Sequence, residues 1–138
     1  MKILVDTCVW SLALRRRDQT RLSTSERETL AHLSEAILDN RAAIIGPIRQ
    51  EILSGIRDQA QFTKTEHLLE PFLDEEVADS DYVAAARLFN LCQDHGVRCG
   101  PVDILLCAVA VRKQYSILTH GQGMERSIAV LKTEGLIQ

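Results

Sequence analysis

The sequence has no C-x-x-C pair, no long hydrophobic run and no excess of positive charge, and each absence removes a class of protein. Its four cysteines, Cys8, Cys92, Cys99 and Cys107, follow no ligand spacing, and two sit inside apolar patterns, so reduced cytosolic thiols are expected rather than a disulfide framework. His32, His67 and His95 are scattered without an H-x-x-H spacing, which argues against a zinc site. The longest apolar stretch, Ile104 to Val111, is eight residues, well short of the roughly 20 needed to span a bilayer. The run Ile3-Leu4-Val5 stops at Asp6, too short for the apolar core of a signal peptide. A soluble, cytoplasmic protein is expected. The formal net charge of −3 gives nucleic acid no general attraction, so a nucleic-acid enzyme would have to use a local basic patch. There are no repeats, low-complexity tracts or linkers.

What is present fits one domain over residues 1–138. This length, with 46% hydrophobic and 25% charged residues, is that of an ordinary globular domain. Folding at this size removes roughly 68–70% of the unfolded chain's accessible surface. A core then forms without staples, and any metal is expected to be functional rather than structural.

Strand-like and helix-like patterns alternate. Lys2 to Val5 reads as a strand buried on both faces, and Asp6-Thr7 opens a helix. Ser23-Thr-Ser-Glu-Arg-Glu carries N-cap and first-turn acid signals for a helix running to about Asn40, with Leu30, Leu33, Ile37 and Leu38 as its apolar residues. Ala42 to Ile45 is a second strand. Pro47 suits the first position of a helix whose stripe is Ile48, Ile52 and Ile56, with Gly55 weakening its end. A helix over about Gln59 to Leu69 and a weaker strand over Phe72 to Val77 follow. Asp79 or Ser80 caps a long helix through Ala84, Leu88, Leu91 and Cys92, ended by His95-Gly96. Gly100-Pro101 starts a helix that is apolar almost all round from Asp103 to Val111 and therefore central. Ser116 to Thr119 is the next strand, and Gly121-Gln-Gly123 turns into a last helix, Met124 to Lys132. Such alternation predicts right-handed crossovers, an α/β fold and a parallel sheet covered on both faces. Ligands then belong beyond the carboxyl ends of the strands.

Three acids stand out against this frame. Asp6 ends the first strand, where a purely structural role would be to cap the next helix. Glu51 lies one turn inside the helix begun at Pro47 and borders its buried stripe, from which a long side chain reaches solvent. Asp103 shares a face with Leu106, Cys107 and Ala110 on a helix with almost no polar side, and no basic residue follows within two turns. An exposed first-turn acid would complement the helix dipole by ~0.3–1 kcal/mol, but a buried one must be paired, hydrogen-bonded or metal-bound. If the three converge, each pair repels by about 4 kcal/mol at roughly 4 Å and an effective dielectric of about 20. A divalent cation reverses that sign. All-oxygen ligands suit Mg²⁺ or Mn²⁺, which activate water and stabilise charge on phosphorus.

Val5-Asp6-Thr7, Glu51-Ile-Leu-Ser-Gly55, Asp103-Ile-Leu-Leu-Cys-Ala108 and Ile117-Leu-Thr119 follow one another in an order that resembles a PIN domain of the VapC toxin type over nearly the whole chain. The resemblance implies a three-layer α/β/α fold around a central parallel sheet. It also implies a Mg²⁺- or Mn²⁺-dependent endoribonuclease, the toxin of a type II toxin–antitoxin system, hydrolysing RNA phosphodiesters by a metal-activated water. On that likeness Asp6, Glu51 and Asp103 are the catalytic, metal-binding acids, and Thr7 and Thr119 orient carboxylates or water. A homodimer and a cognate antitoxin of the VapB type are its implied partners.

The pattern departs from the family in one place. Members commonly carry an acid two residues after the last strand's threonine and often a second acid two further on, whereas this chain reads Thr119-His120-Gly121-Gln122-Gly123-Met124. The number of metal ions is thereby left open, and the alternative is a catalytically impaired PIN-like module that binds RNA or an antitoxin without cleaving. Neither His120, which alternates to the other side of an extended segment, nor Glu125, a turn into the last helix, is expected to replace the lost acid. The dense basic cluster Arg15, Arg16, Arg17 and Arg21 is the candidate for phosphate contacts, its ordinary reading being a solvated helix end. Trp10, at helical spacing from Leu14, is expected in the core or facing an antitoxin. A haloacid-dehalogenase-type phosphatase would need an acid where Cys8 stands, and a receiver domain would need an aspartate where Gly46-Pro47 stands, so both fall behind.

Overall fold

The computed structural model describes residues 1–15 and 21–138, which form four strands and seven helices. The strands are β1 (Ile3–Val5), β2 (Ala42–Ile45), β3 (Asp74–Glu75) and β4 (Ser116–Leu118). All pair in parallel: Ile3 and Leu4 oppose Ala42 and Ala43, Ile3 to Val5 oppose Ser116 to Leu118, and Ile44 and Ile45 oppose Asp74 and Glu75. The sheet order is β3-β2-β1-β4. The chain steps outward from β1 to β3 and then returns to lay β4 on the other side of β1. That reversal opens a crevice between the carboxyl ends of β1 and β4, where parallel α/β sheets bind their ligands.

The helices are α1 (Thr7–Arg15), α2 (Thr24–Leu38), α3 (Gly46–Leu53), α4 (Gln59–Leu69), α5 (Asp79–Asp94), α6 (Pro101–Lys113) and α7 (Gln122–Thr133). α1 packs with α2 and α3, and α3 with α4, while α6 packs with α5 and α7. The expected α/β architecture, a three-layer α/β/α arrangement around a parallel sheet, is therefore present. Among the described residues, no helix is long and apolar enough to cross a membrane.

Local chemistry explains most of the boundaries. Ser23 accepts the Glu26 amide, and the Glu26 carboxylate accepts the Ser23 amide in return, a reciprocal box that fixes the start of α2. Asp58 caps α4 through the Gln61 amide. Gly96 has φ +76°, a left-handed conformation that lets the chain leave α5. In α6 every residue from Ile104 to Ala110 is buried, as its uniform apolarity predicts. Ile48 and Ile52 of α3 are fully buried, contributing about 1.5–3 kcal/mol each.

Some elements differ from expectation. The strand expected over Phe72 to Val77 shrinks to Asp74–Glu75, because Phe72 is held in a turn: its amide donates to Leu69 O, and its carbonyl accepts from the Arg49 guanidinium. α2 turns Thr29, Leu33 and Ala36 inward, leaving Ile37 40% and Leu38 85% exposed. Ile56 falls beyond the end of α3 and does not extend its stripe. Trp10 is a core residue: it donates Nε1–H to Val5 O at 3.1 Å, and its ring lies 4.9 Å from that of Phe72 at 60°, a favoured tilted geometry.

α6 is fixed at its carboxyl end by an ion pair. Arg112 donates Nε–H to Asp81 Oδ1 and an Nη2 hydrogen to Asp81 Oδ2, each at 2.8 Å, and also reaches Glu76 O. Asp81, which additionally accepts the Ala78 amide at 2.8 Å, is 1% exposed. This two-pronged clasp ties α5 to α6.

Candidate functional site

The amide of Asp6 donates to Leu118 O at 2.9 Å, carrying the β1–β4 ladder one step past the end of β1. Asp6 is thus held where the strand order reverses, and it is buried at 5% exposure. Its Oδ1 accepts the Thr7 amide at 2.7 Å, and its Oδ2 accepts the Thr119 hydroxyl at 2.9 Å and the Cys8 thiol at 3.3 Å. Asp6 Oδ1 thus takes the first amide of α1 rather than the second or third that a capping side chain accepts, while Oδ2 faces the end of β4. Thr119 Oγ1 in turn accepts the Gly121 amide at 3.1 Å.

Glu51 and Asp103 join Asp6 around one open cleft of about 330 Å³. Burial of Ile48 and Ile52 sets the rotation of α3, which leaves Glu51 exposed at the cleft's rim. Asp103 comes from the first turn of α6 and is half-buried. Thr7, Cys8, Gly121, Gly123 and Met124 complete the wall. Among the described residues, that wall contains no Lys or Arg. The electrostatics follow: burial first, then the charges of Asp6 and Glu51, pushes the Asp103 carboxyl up to about 6. Desolvation and neighbouring carboxylates both penalise its charged form. A separate hollow lined by Tyr115, Ile117, Ile128 and Ile137 lies beside β4 and carries no carboxylate side chain.

No family model matches the chain, and no curated protein matches it. The site must be judged on its own donors. Carboxylate groups that line one cleft with no described Lys or Arg on its wall form a donor set suited to a hard divalent ion. The Thr7 hydroxyl adds an orphan: it is buried without a hydrogen-bond partner among the described residues, on the same wall. Among the described residues, however, no group of three or more His, Cys, Asp or Glu side chains stands ready to hold a metal ion. The acids share a cleft without being closed around a point.

The remaining sequence candidates separate cleanly. His120 turns away, with Nδ1 3.4 Å from Thr29 Oγ1 on α2, as strand alternation predicts, and Glu125 is exposed and not part of the cleft wall. Arg21 is exposed and likewise not part of the wall. Arg16, Arg17 and the side chain of Arg15 lie outside the described residues. Gly121 has φ −95° and ψ 131°, a conformation open to any residue. A Cβ there would meet Thr119 Oγ1 at 3.7 Å and Cys8 Sγ at 3.9 Å, and one at Gly123 would meet nothing within 4 Å. The backbone thus does not require glycine at 121 or 123. Sequence reasoning gave Cys8 and Met124 no part in the site. Cys8 sits two residues after Asp6, in the first turn of α1, and that spacing was the available signal.

Proposed function

We propose that this chain is a Mg²⁺- or Mn²⁺-dependent endoribonuclease, a single PIN domain of the VapC toxin type acting in the cytoplasm. The observation that carries the reading is the meeting of Asp6, Glu51 and Asp103 in one cleft at the point where the strand order reverses. Asp6 and Asp103 would hold the cation with Glu51 as the third acid. Thr119 fixes the rotation of the Asp6 carboxylate by donating to Oδ2, and the Thr7 hydroxyl, buried without a hydrogen-bond partner among the described residues, would be one more polar group beside the ion. When bound, the ion supplies the Lewis acidity that activates water and offsets charge developing on the phosphodiester. A homodimer and a VapB-type antitoxin belong to the same reading, and Arg15, Arg16, Arg17 and Arg21 are its candidate RNA contacts.

A second reading, a PIN-like module that binds RNA or an antitoxin without cleaving, is favoured by Gly121 and Gly123 and by the absence of a closed metal cluster among the described residues. One assay separates the two. RNA incubated with the chain and Mg²⁺ or Mn²⁺ is expected to be cut, with EDTA or Asp103→Ala reducing the rate by roughly a hundredfold or more, the scale of removing a main electrostatic element. Cleavage that survives EDTA, or an unaffected Asp103→Ala variant, would remove the mechanism. RNA binding without cleavage would select the second reading.

A further inference from the structure

We propose that Cys8 is a positioning residue of the acid centre, latching the glycine-bearing 119–121 loop to the carboxylate of Asp6. The inference rests on the reading of Asp6 as a metal-binding acid.

Two side chains bridge the ends of β1 and β4 in the same manner. Thr119 Oγ1 accepts the Gly121 amide at 3.1 Å and donates to Asp6 Oδ2 at 2.9 Å. Cys8 Sγ accepts the His120 amide at 3.3 Å and donates to the same Oδ2, also at 3.3 Å. The two bridges stand 3.6 Å apart. Consecutive amides of the loop are thus gathered by a hydroxyl and a thiol whose hydrogens converge on one oxygen. A carboxylate offers about four acceptor positions. Oδ2 has its two filled by Thr119 and Cys8, and Oδ1 has one filled by the Thr7 amide, which leaves one position on Oδ1 for a cation.

This latch stands where the loop itself has least to contribute. Gly121 and Gly123 supply no side chain to hold the segment over the cleft, and the His120 amide is instead held by donating to Cys8 Sγ on α1. The neutral thiol suffices, since donor and acceptor roles both belong to the S–H form.

The test uses the whole chain and Mn²⁺ alone. Cys8→Val, larger by about a methyl group, removes both hydrogen bonds. It is expected to weaken Mn²⁺ binding in calorimetry by about tenfold, the scale of one lost hydrogen bond, and to speed hydrogen exchange at the His120 amide. Cys8→Ser, which keeps donor and acceptor, is expected to restore most of both, and Cys8→Ala serves in place of valine if valine prevents folding. Wild-type Mn²⁺ affinity in the valine or alanine variant, or failure of serine to rescue, overturns the latch and leaves the metal centre intact. A wild-type chain that binds no Mn²⁺ overturns the metal centre, and the latch with it.

Discussion

At the carboxyl end of α6, Arg112 meets Asp81 through two 2.8 Å hydrogen bonds; at the amino end of the same helix, Asp103 faces Asp6 and Glu51 across a cleft. The Arg112 hydrogen bond, with the Ala78 amide assisting against desolvation, holds the Asp81 carboxyl below its usual range. Burial and like charges push Asp103 the other way, to about 6. Selection for stability alone would treat the two acids alike, by pairing or replacing each. Only Asp81 has been treated so. The contrast supports the role proposed for Asp103, since acids with perturbed proton affinity cluster at functional sites.

Removing each acid in turn should break the comparison in opposite directions. The largest expected effect is Asp81→Ala, which strands Arg112 and opens the clasp between α5 and α6. Removing one partner of a buried pair costs about 3–5 kcal/mol, and since Arg112 is 35% exposed the lower part of that range is expected in a denaturant titration. Mn²⁺ binding by the folded fraction should persist. Equal stability would mean that the clasp is ornamental.

A smaller effect of opposite sign is expected at Asp103. Its folded value lies above the ordinary carboxyl range, so the stability its protonated form enjoys is fully present below about pH 4 and is lost as pH rises through about 6. Without metal, Asp103→Asn should therefore melt higher than wild type at pH 8, by roughly 1 kcal/mol once solvent screening is allowed for, and the two should converge near pH 4. Asp81 titrates in the reverse sense: its contribution is present at neutral pH and lost as pH falls below the ordinary carboxyl range. Thermal melts across pH check both limbs together, and an Asn variant no more stable than wild type at pH 8 would erase the contrast.

The finest change is Gly121→Asp. The backbone accepts a side chain there, and a further carboxylate at the cleft should tighten Mn²⁺ binding by roughly threefold, while lowering metal-free stability slightly. Unchanged affinity would show that the cleft needs no fourth acid.

How much of this was legible beforehand varies by residue. Asp103 could be picked out because a lone acid on an otherwise apolar helix is a local contradiction. The alternation of strands and helices gave the architecture, since periodicity and end signals at Ser23, Pro47 and Gly96 are local. β3 was drawn too long because the Arg49 hydrogen bonds that bend the chain at Phe72 come from another helix. Ile37 and Leu38 were misplaced because which face of α2 is buried depends on what it packs against. Cys8 escaped notice as a site residue because its partners Thr119 and His120 lie 111 and 112 positions away.

The acids named at the outset were read from sequence alone, as were the elements that carry them, because helix, strand and cap signals act over a few residues. Their convergence was decided by tertiary structure. Placing β1 between β2 and β4 brings the ends of distant strands side by side, and parallel register then sets which atoms meet: Thr119 with Asp6, Cys8 with the His120 amide, Glu51 and Asp103 with the same cleft. No local pattern encodes that strand order. It follows from how the whole chain buries both faces of its sheet.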